Sequence, residues 1–199
     1  MHGLIAGNKR FISKIDRRLL EELSTKGQKP QALVVSCSDS RVPPEIIFDA
    51  TVPGTLFVVR VAGNVVSGPT VIGSIEYAVQ HLKVPAVVLL GHAGCGAVKA
   101  RIDGAFEHGR LAQLCKAIHC HSRDLDRAVI ENLEYQFGKL LKIDCVRKGV
   151  RDGRVQAYAM TYDLSSGRVS ILKGTTDKPD IRSGTVLSSL RDTRKASAP

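Results

Sequence analysis

Three short, β-branched apolar runs constrain this chain most: "ALVVS" (32–36), "LFVVRVA" (56–62) and "AVVLLG" (86–91). A strand with one wet face alternates apolar and polar residues, whereas a strand covered on both faces has no need to. Each run is too short for a membrane span, which takes about 20 apolar residues, and each is bounded by Gly, Pro or a change of period. The runs therefore read as buried strands of a largely parallel sheet.

The intervening segments carry helical spacing. Leu4, Ile5, Phe11, Ile12, Ile15, Leu19 and Leu20 recur at threes and fours, which predicts one helix over about 4–23, stopped by Gly27 and Pro30. "EIIFDA" after Pro43-Pro44 reads as a short helix, and "PTVIGSIEYAVQHLK" as a longer one between Pro69 and Pro85. A further helix starts directly after the third run, at "HAGCGAVKARIDG", and 111–148 predicts two helices broken near 120–123. "VQAYAMTYDLSSGRVSILKG" reads as a hairpin turning at Ser165-Ser166-Gly167. The expected fold is α/β: a mixed, mostly parallel central sheet flanked by helices, with a C-terminal antiparallel edge hairpin. A single domain over 1–176 is expected, with an N-terminal helical arm over about 1–26 and a basic polar tail over 177–199.

In an open α/β sheet, ligands bind outside the carboxyl ends of the strands. Cys37 follows the first run, and His92 and Cys95 follow the third. His92-x-x-Cys95 sets an imidazole and a thiol one helical turn apart, with Gly91, Gly94 and Gly96 letting backbone approach closely. Alone, that pair reads rather as an incidental strand-to-helix turn; Cys37 at a matching strand end reverses the reading to a zinc site. Three protein ligands leave an open position, which indicates catalysis rather than structure. Asp39 is the natural fourth group, and Arg41 is placed to hold it off the metal through a charge-assisted bond. The alternative for Asp39 and Arg41 is an ordinary turn ion pair.

Five cysteines, an odd number, in 199 residues argue against a disulfide framework and for a reducing compartment. With no signal-like start, the expected location is cytoplasmic. The formal charge of +10 is dispersed and accompanies no base-reading motif, so it reads as a solvated basic surface, and nucleic acid is not an expected partner. Such a field can favour small anionic substrates. Cys115, His119, Cys120 and His121 in "CKAIHCH" form a second metal-capable stretch without a partner pair, read as buried thiols and surface imidazoles; Cys145 reads as core.

"CSDSR", "FVVRVAGN", "GSIEYAV" and "GHAGCGAV" together resemble the β-class carbonic anhydrases, whose metal motifs are Cys-x-Asp-x-Arg and His-x-x-Cys. The resemblance runs from about Gly7 to Lys99 and more weakly through the hairpin. It implies reversible hydration of CO2 to bicarbonate and a proton by a zinc-bound hydroxide. One Zn2+ per chain would be held by Cys37, His92 and Cys95, with an Asp39–Arg41 dyad orienting the water. It also implies a plant-like substrate pocket containing Gln28, Phe57, Tyr77 and Gly63. Family members assemble as dimers or dimers of dimers, with the active site at the dimer interface and the N-terminal arm embracing the neighbour. A second group of the family carries a tryptophan three residues before the first ligand and a bicarbonate-dependent off switch. Here that position is Val34 and the chain has no tryptophan. Two alternatives stand beside this reading: a hydrolase of carbonyl sulfide or carbon disulfide on the same fold, and a non-catalytic zinc- or nucleic-acid-binding protein.

Overall fold

A computed structural model describes residues 2–176; the expected tail over 177–199 lies outside the described residues. The chain runs α1 (His2–Lys14), α2 (Arg17–Lys26), β1 (Ala32–Ser36), α3 (Pro44–Ile47), β2 (Leu56–Arg60), α4 (Pro69–Glu76), β3 (Ala86–His92), α5 (Gly96–Ile102), α6 (Gly109–Ala117), α7 (Leu125–Lys142), α8 (Asp144–Arg151), β4 (Gln156–Tyr162) and β5 (Val169–Gly174).

The five strands form one sheet in the order β2-β1-β3-β4-β5, with every neighbouring pair parallel except β4–β5. This is the mostly parallel sheet with an antiparallel edge hairpin expected from the apolar runs. β1 and β3, the central strands, are buried along their whole length. Their residues alternate between two faces. Leu33, Val35, Val87 and Leu89 pack with Ile75 of α4, Leu133 and Leu140 of α7 and Val146 of α8. Val34, Val88 and Leu90 pack on the other side with Val42, Ile47 and Phe48.

The strand order determines where a ligand site can form. After β1 the chain moves outward to β2, and after β3 it moves the opposite way to β4. The carboxyl ends of β1 and β3 are therefore adjacent ends from which the chain diverges, and such a switch point leaves a crevice.

Three helical expectations change. The single N-terminal helix is two, because Asp16 adopts an extended backbone and its carboxylate accepts the Arg18 N–H at 2.9 Å, capping a new start. Neither α1 nor α2 buries a residue, and Leu4 and Ile5 are 80% and 59% exposed. The 111–148 region holds three helices: besides the expected break before α7, which Asp124 caps through the Arg127 N–H, Ile143 alone is extended between α7 and α8. Its side chain is drawn into the core, and no Gly or Pro marks the place. Finally, α4 widens into a π-helical turn over Tyr77–His81, closed by the Leu82 N–H on the Tyr77 carbonyl at 3.1 Å.

Candidate metal centre

β1 ends at Ser36, so Cys37 emerges at the switch point; β3 ends at His92, and Cys95 stands at the start of α5. The ligand atoms of Cys37, His92 and Cys95 all lie within 4.8 Å of one another, and all three residues are buried. No other group of three or more His, Cys, Asp or Glu residues with this closeness occurs among the described residues.

Three features fit this cluster to a metal. The Cys37 and Cys95 sulfurs are 3.9 Å apart, far beyond a disulfide, and two thiolates on a tetrahedral ion with Zn–S bonds of about 2.3 Å stand about 3.8 Å apart. His92 Nδ1 donates to the Ala93 carbonyl at 2.9 Å, which fixes the tautomer and leaves Nε2 its lone pair. That Nε2 is buried without a hydrogen-bond partner, a costly condition that a metal ion would relieve.

The electrostatics already favour one thiolate of the pair. The Cys95 side chain hydrogen-bonds to Cys37 and pulls the Cys37 thiol down to about 4, against burial, with His92 and the backbone of Asp39 and Gly63 adding to the pull. The same bond, followed by burial, pushes Cys95 upward, so the pair holds on to one proton. Backbone N–H groups of Val98 and Ala97 at the start of α5 work the other way on Cys95, favouring its thiolate.

The Asp39–Arg41 dyad forms within the loop after β1. Arg41 Nε donates to Asp39 Oδ1 at 2.9 Å and Nη2 to Oδ2 at 2.7 Å, a two-pronged bond, while the Arg41 backbone N–H adds a third contact at 3.0 Å. Arg41 Nη2 also reaches the Gly94 carbonyl at 3.4 Å, tying the dyad to the His92–Cys95 turn. The Arg41 side chain beside it holds the Asp39 carboxyl well below the usual carboxylate range. Asp39 Oδ2 stands 4.0 Å from His92 Nε2, close to the cluster but gripped by Arg41.

Gly63 also reaches the site: its N–H donates to Cys37 Sγ at 3.3 Å. The remaining pocket candidates do not. Phe57 pairs with Leu33, four residues before Cys37, so along a strand it lies about 13 Å from the ligand end. Tyr77 follows α4 with its ring 6.0 Å from that of Phe57 and 4.8 Å from His81, and it is 45% exposed. Gln28 precedes β1 and is exposed. In one chain these three sit toward the amino ends of the strands, opposite the ligand cluster. A cleft of 740 Å³ lined by Glu76, Gln80, Lys83, Asp144, Lys148 and Arg154 lies away from the ligands.

Sequence reasoning missed Arg60, Asn132 and Gln136. Arg60, closing β2, donates to the Cys37 carbonyl at 3.2 Å and the Asp39 carbonyl at 2.6 Å, and so stiffens the loop between ligand and dyad. A lone cation ending an apolar strand was the available signal. Asn132 and Gln136 are two amides in the apolar stripe of α7, a conspicuous break in its pattern. In the "CKAIHCH" stretch, Cys115 is buried, and His119 stacks on Tyr135 at 4.1 Å with His121 edge-on at 4.7 Å. Cys145 lies in the core as read from sequence.

Known proteins are similar to this chain in both sequence and fold. The family sequence model described as carbonic anhydrase matches residues 32–169. A carbonic anhydrase of Pseudomonas aeruginosa is 35% identical over 178 residues, covering 80% of each chain. Carbonic anhydrase 2 of Mycobacterium tuberculosis H37Rv is 41% identical over 184 residues, covering 83% of this chain and 88% of its own. The solved structure of the β-carbonic anhydrase CcaA superposes with a TM-score of 0.77 at 27% identity, covering 87% of this chain and 95% of that one. A tetrameric β-carbonic anhydrase of Sordaria macrospora gives 0.75 at 26%, covering 88% and 98%. With a mostly parallel sheet, two cysteines and a histidine at its switch point, and relatives of this kind over most of its length, the chain belongs to the β-class carbonic anhydrase family.

Proposed function

We propose that this protein hydrates CO2 reversibly to bicarbonate and a proton, using one zinc ion per chain held by Cys37, His92 and Cys95. The observation that carries the reading is the buried cluster of two unbridged thiols at tetrahedral spacing and an orphaned imidazole nitrogen. When bound, zinc supplies water that ionises near neutral pH; carbonic anhydrase is itself the standard example of this effect. The rest falls to the chain. Asp39, ionised and fixed by Arg41, accepts a hydrogen bond from the attacking water and turns a lone pair toward the CO2 carbon. Because Arg41 occupies both Asp39 oxygens, the carboxylate stays out of the ligand set.

Gln28, Phe57 and Tyr77 serve the same reaction from a second copy of the chain. Support comes from their position away from their own chain's ligands, from the exposure of Tyr77, and from the bare apolar side chains of α1. In such a homodimer, Phe57 supplies an apolar wall for CO2, and the Gln28 amide donates to a CO2 oxygen as negative charge develops there. Stopped-flow CO2 hydration with zinc content determined on the same sample tests the proposal. Expected are about one zinc per chain, activity lost on chelation and activity restored by zinc; hydration unaffected by complete zinc removal would refute it.

A further inference from the structure

Two amide side chains lie where α7 otherwise presents only core. Asn132 and Gln136, one turn apart, share the buried side of α7 with Val129, Leu133, Phe137 and Leu140, and are 1% and 0% exposed. Burying a primary amide is unfavourable unless its hydrogen bonds are made. Here they are made, and to a definite place. Gln136 Oε1 accepts the Val66 N–H at 2.9 Å, and its Nε2 donates to the Ala117 carbonyl at 2.7 Å and to Asn132 Oδ1 at 3.1 Å. Asn132 Oδ1 also accepts the His119 N–H at 3.1 Å, and its Nδ2 donates to the Gly63 carbonyl at 3.0 Å. The backbone partners have fixed polarity, so the orientation of each amide follows from them.

Two of these bonds hold the loop from Gly63 to Val66, and the other two hold the segment after α6 at Ala117 and His119. Gly63 is the residue whose N–H donates to Cys37 Sγ. Its φ of 70° lies in the left-handed region, and a Cβ there would meet Ile118 Cδ1 at 2.8 Å. With no side chain to anchor it, Gly63 must be held by its neighbours. The amide pair grips the loop at both ends, at the Gly63 carbonyl and the Val66 N–H.

We propose that Asn132 and Gln136 are positioning residues for the metal centre: they keep the Gly63 N–H on the Cys37 sulfur and so set that thiolate's placement and donor strength. The proposal rests on the ligand assignment made above. Hydrogen bonds to a ligand tune both affinity and electronic character, and losing such a partner commonly costs about 10- to 100-fold in metal affinity.

The test uses the full chain with zinc, and with cobalt(II) as a spectroscopic replacement. Asn132→Leu is neutral, of similar size, and removes the donor to Gly63; Gln136→Met is neutral, of similar length, and removes the other half of the network. Phe137→Leu, on the same helix and in the core, is the control for a purely structural effect. The expected result is chelator-competition affinity for zinc lowered about 10-fold in the amide variants, the low end of the range for a direct partner because they act through Gly63. Their cobalt–thiolate charge-transfer band should move to longer wavelength, with Phe137→Leu moving neither. Either amide variant, if folded, decides the matter. Wild-type affinity and an unmoved band, or an equal change in Phe137→Leu, overturn the proposal alone. A wild-type chain that takes up no zinc or cobalt overturns the ligand assignment and this proposal with it.

Discussion

The two edges of the sheet are built differently. At the carboxyl edge, nearly every group near the ligand cluster is gripped from within the chain: Arg41 on Asp39, Arg60 on the Cys37 and Asp39 carbonyls, Gly63 on Cys37, Ala93 on His92. At the amino edge, Gln28 and Tyr77 are exposed, and the two helices that precede β1 contain no fully buried residue. One chain can thus preorganise the candidate metal site on its own, because its parts hang from the adjacent carboxyl ends of β2, β1 and β3. On the proposed reading, the substrate pocket draws on surfaces that a single chain leaves bare.

The most severe way to break this contrast is to remove a ligand. Cys37→Ser or His92→Ala should abolish zinc retention and lower CO2 hydration by about 10³-fold or more, since a term of several kcal/mol is lost; zinc analysis and stopped-flow assays check it. Asp39→Asn should keep zinc yet lower kcat by about 10²-fold, the scale of a lost proton acceptor. Near-wild-type hydration across pH would sink the dyad.

The amino edge should respond in the opposite sense. Leu4→Asp combined with Ile5→Asp is expected to shift the molecular mass by light scattering toward the monomer. Hydration should fall about 10-fold, the effect of losing pocket alignment, with zinc content unchanged. Full activity in a monomer would show that the pocket is complete in one chain. A smaller effect belongs to Asp163, just beyond β4 at the carboxyl edge. The Ser165 hydroxyl, followed by the Ser166 backbone N–H and hydroxyl, holds its carboxyl down at about 2. A depressed carboxylate contributes stability above its unfolded value, about 3.9. That contribution disappears as pH falls through about 2. A carbon-detected NMR titration of Asp163 should find its midpoint there, and Asp163→Asn should lower Tm slightly at neutral pH and not at the acid limit.

Much of the fold was legible because its signals are local. β-branched runs announced β1 and β3, and Ser165-Ser166-Gly167 announced the hairpin. The misses were local structure decided by distant packing. Ile143 breaks a helix with no breaker residue, because its side chain is drawn into the core. The π-helical turn at Tyr77–His81 leaves no mark in a helical pattern that continues through it. The Cys37–His92–Cys95 cluster was legible for a related reason. Soft donors just past strand ends are placed by strand length alone, whereas Arg60, Asn132 and Gln136 act through backbone carbonyls and N–H groups that every residue possesses.

The sequence by itself marked out the strands, the Cys37–His92–Cys95 cluster and the Asp39–Arg41 pair, since each depends on residue type within a few positions of a strand end. Only the tertiary structure decided that β1 and β3 are neighbours with chains diverging from them, and that this brings two sulfurs to 3.9 Å. It also decided that Gln28, Phe57 and Tyr77 fall at the far edge from the ligands of their own chain. The reason is geometric. Spacing along a chain limits distance only within a few residues, while the order of strands in a sheet determines which distant residues meet.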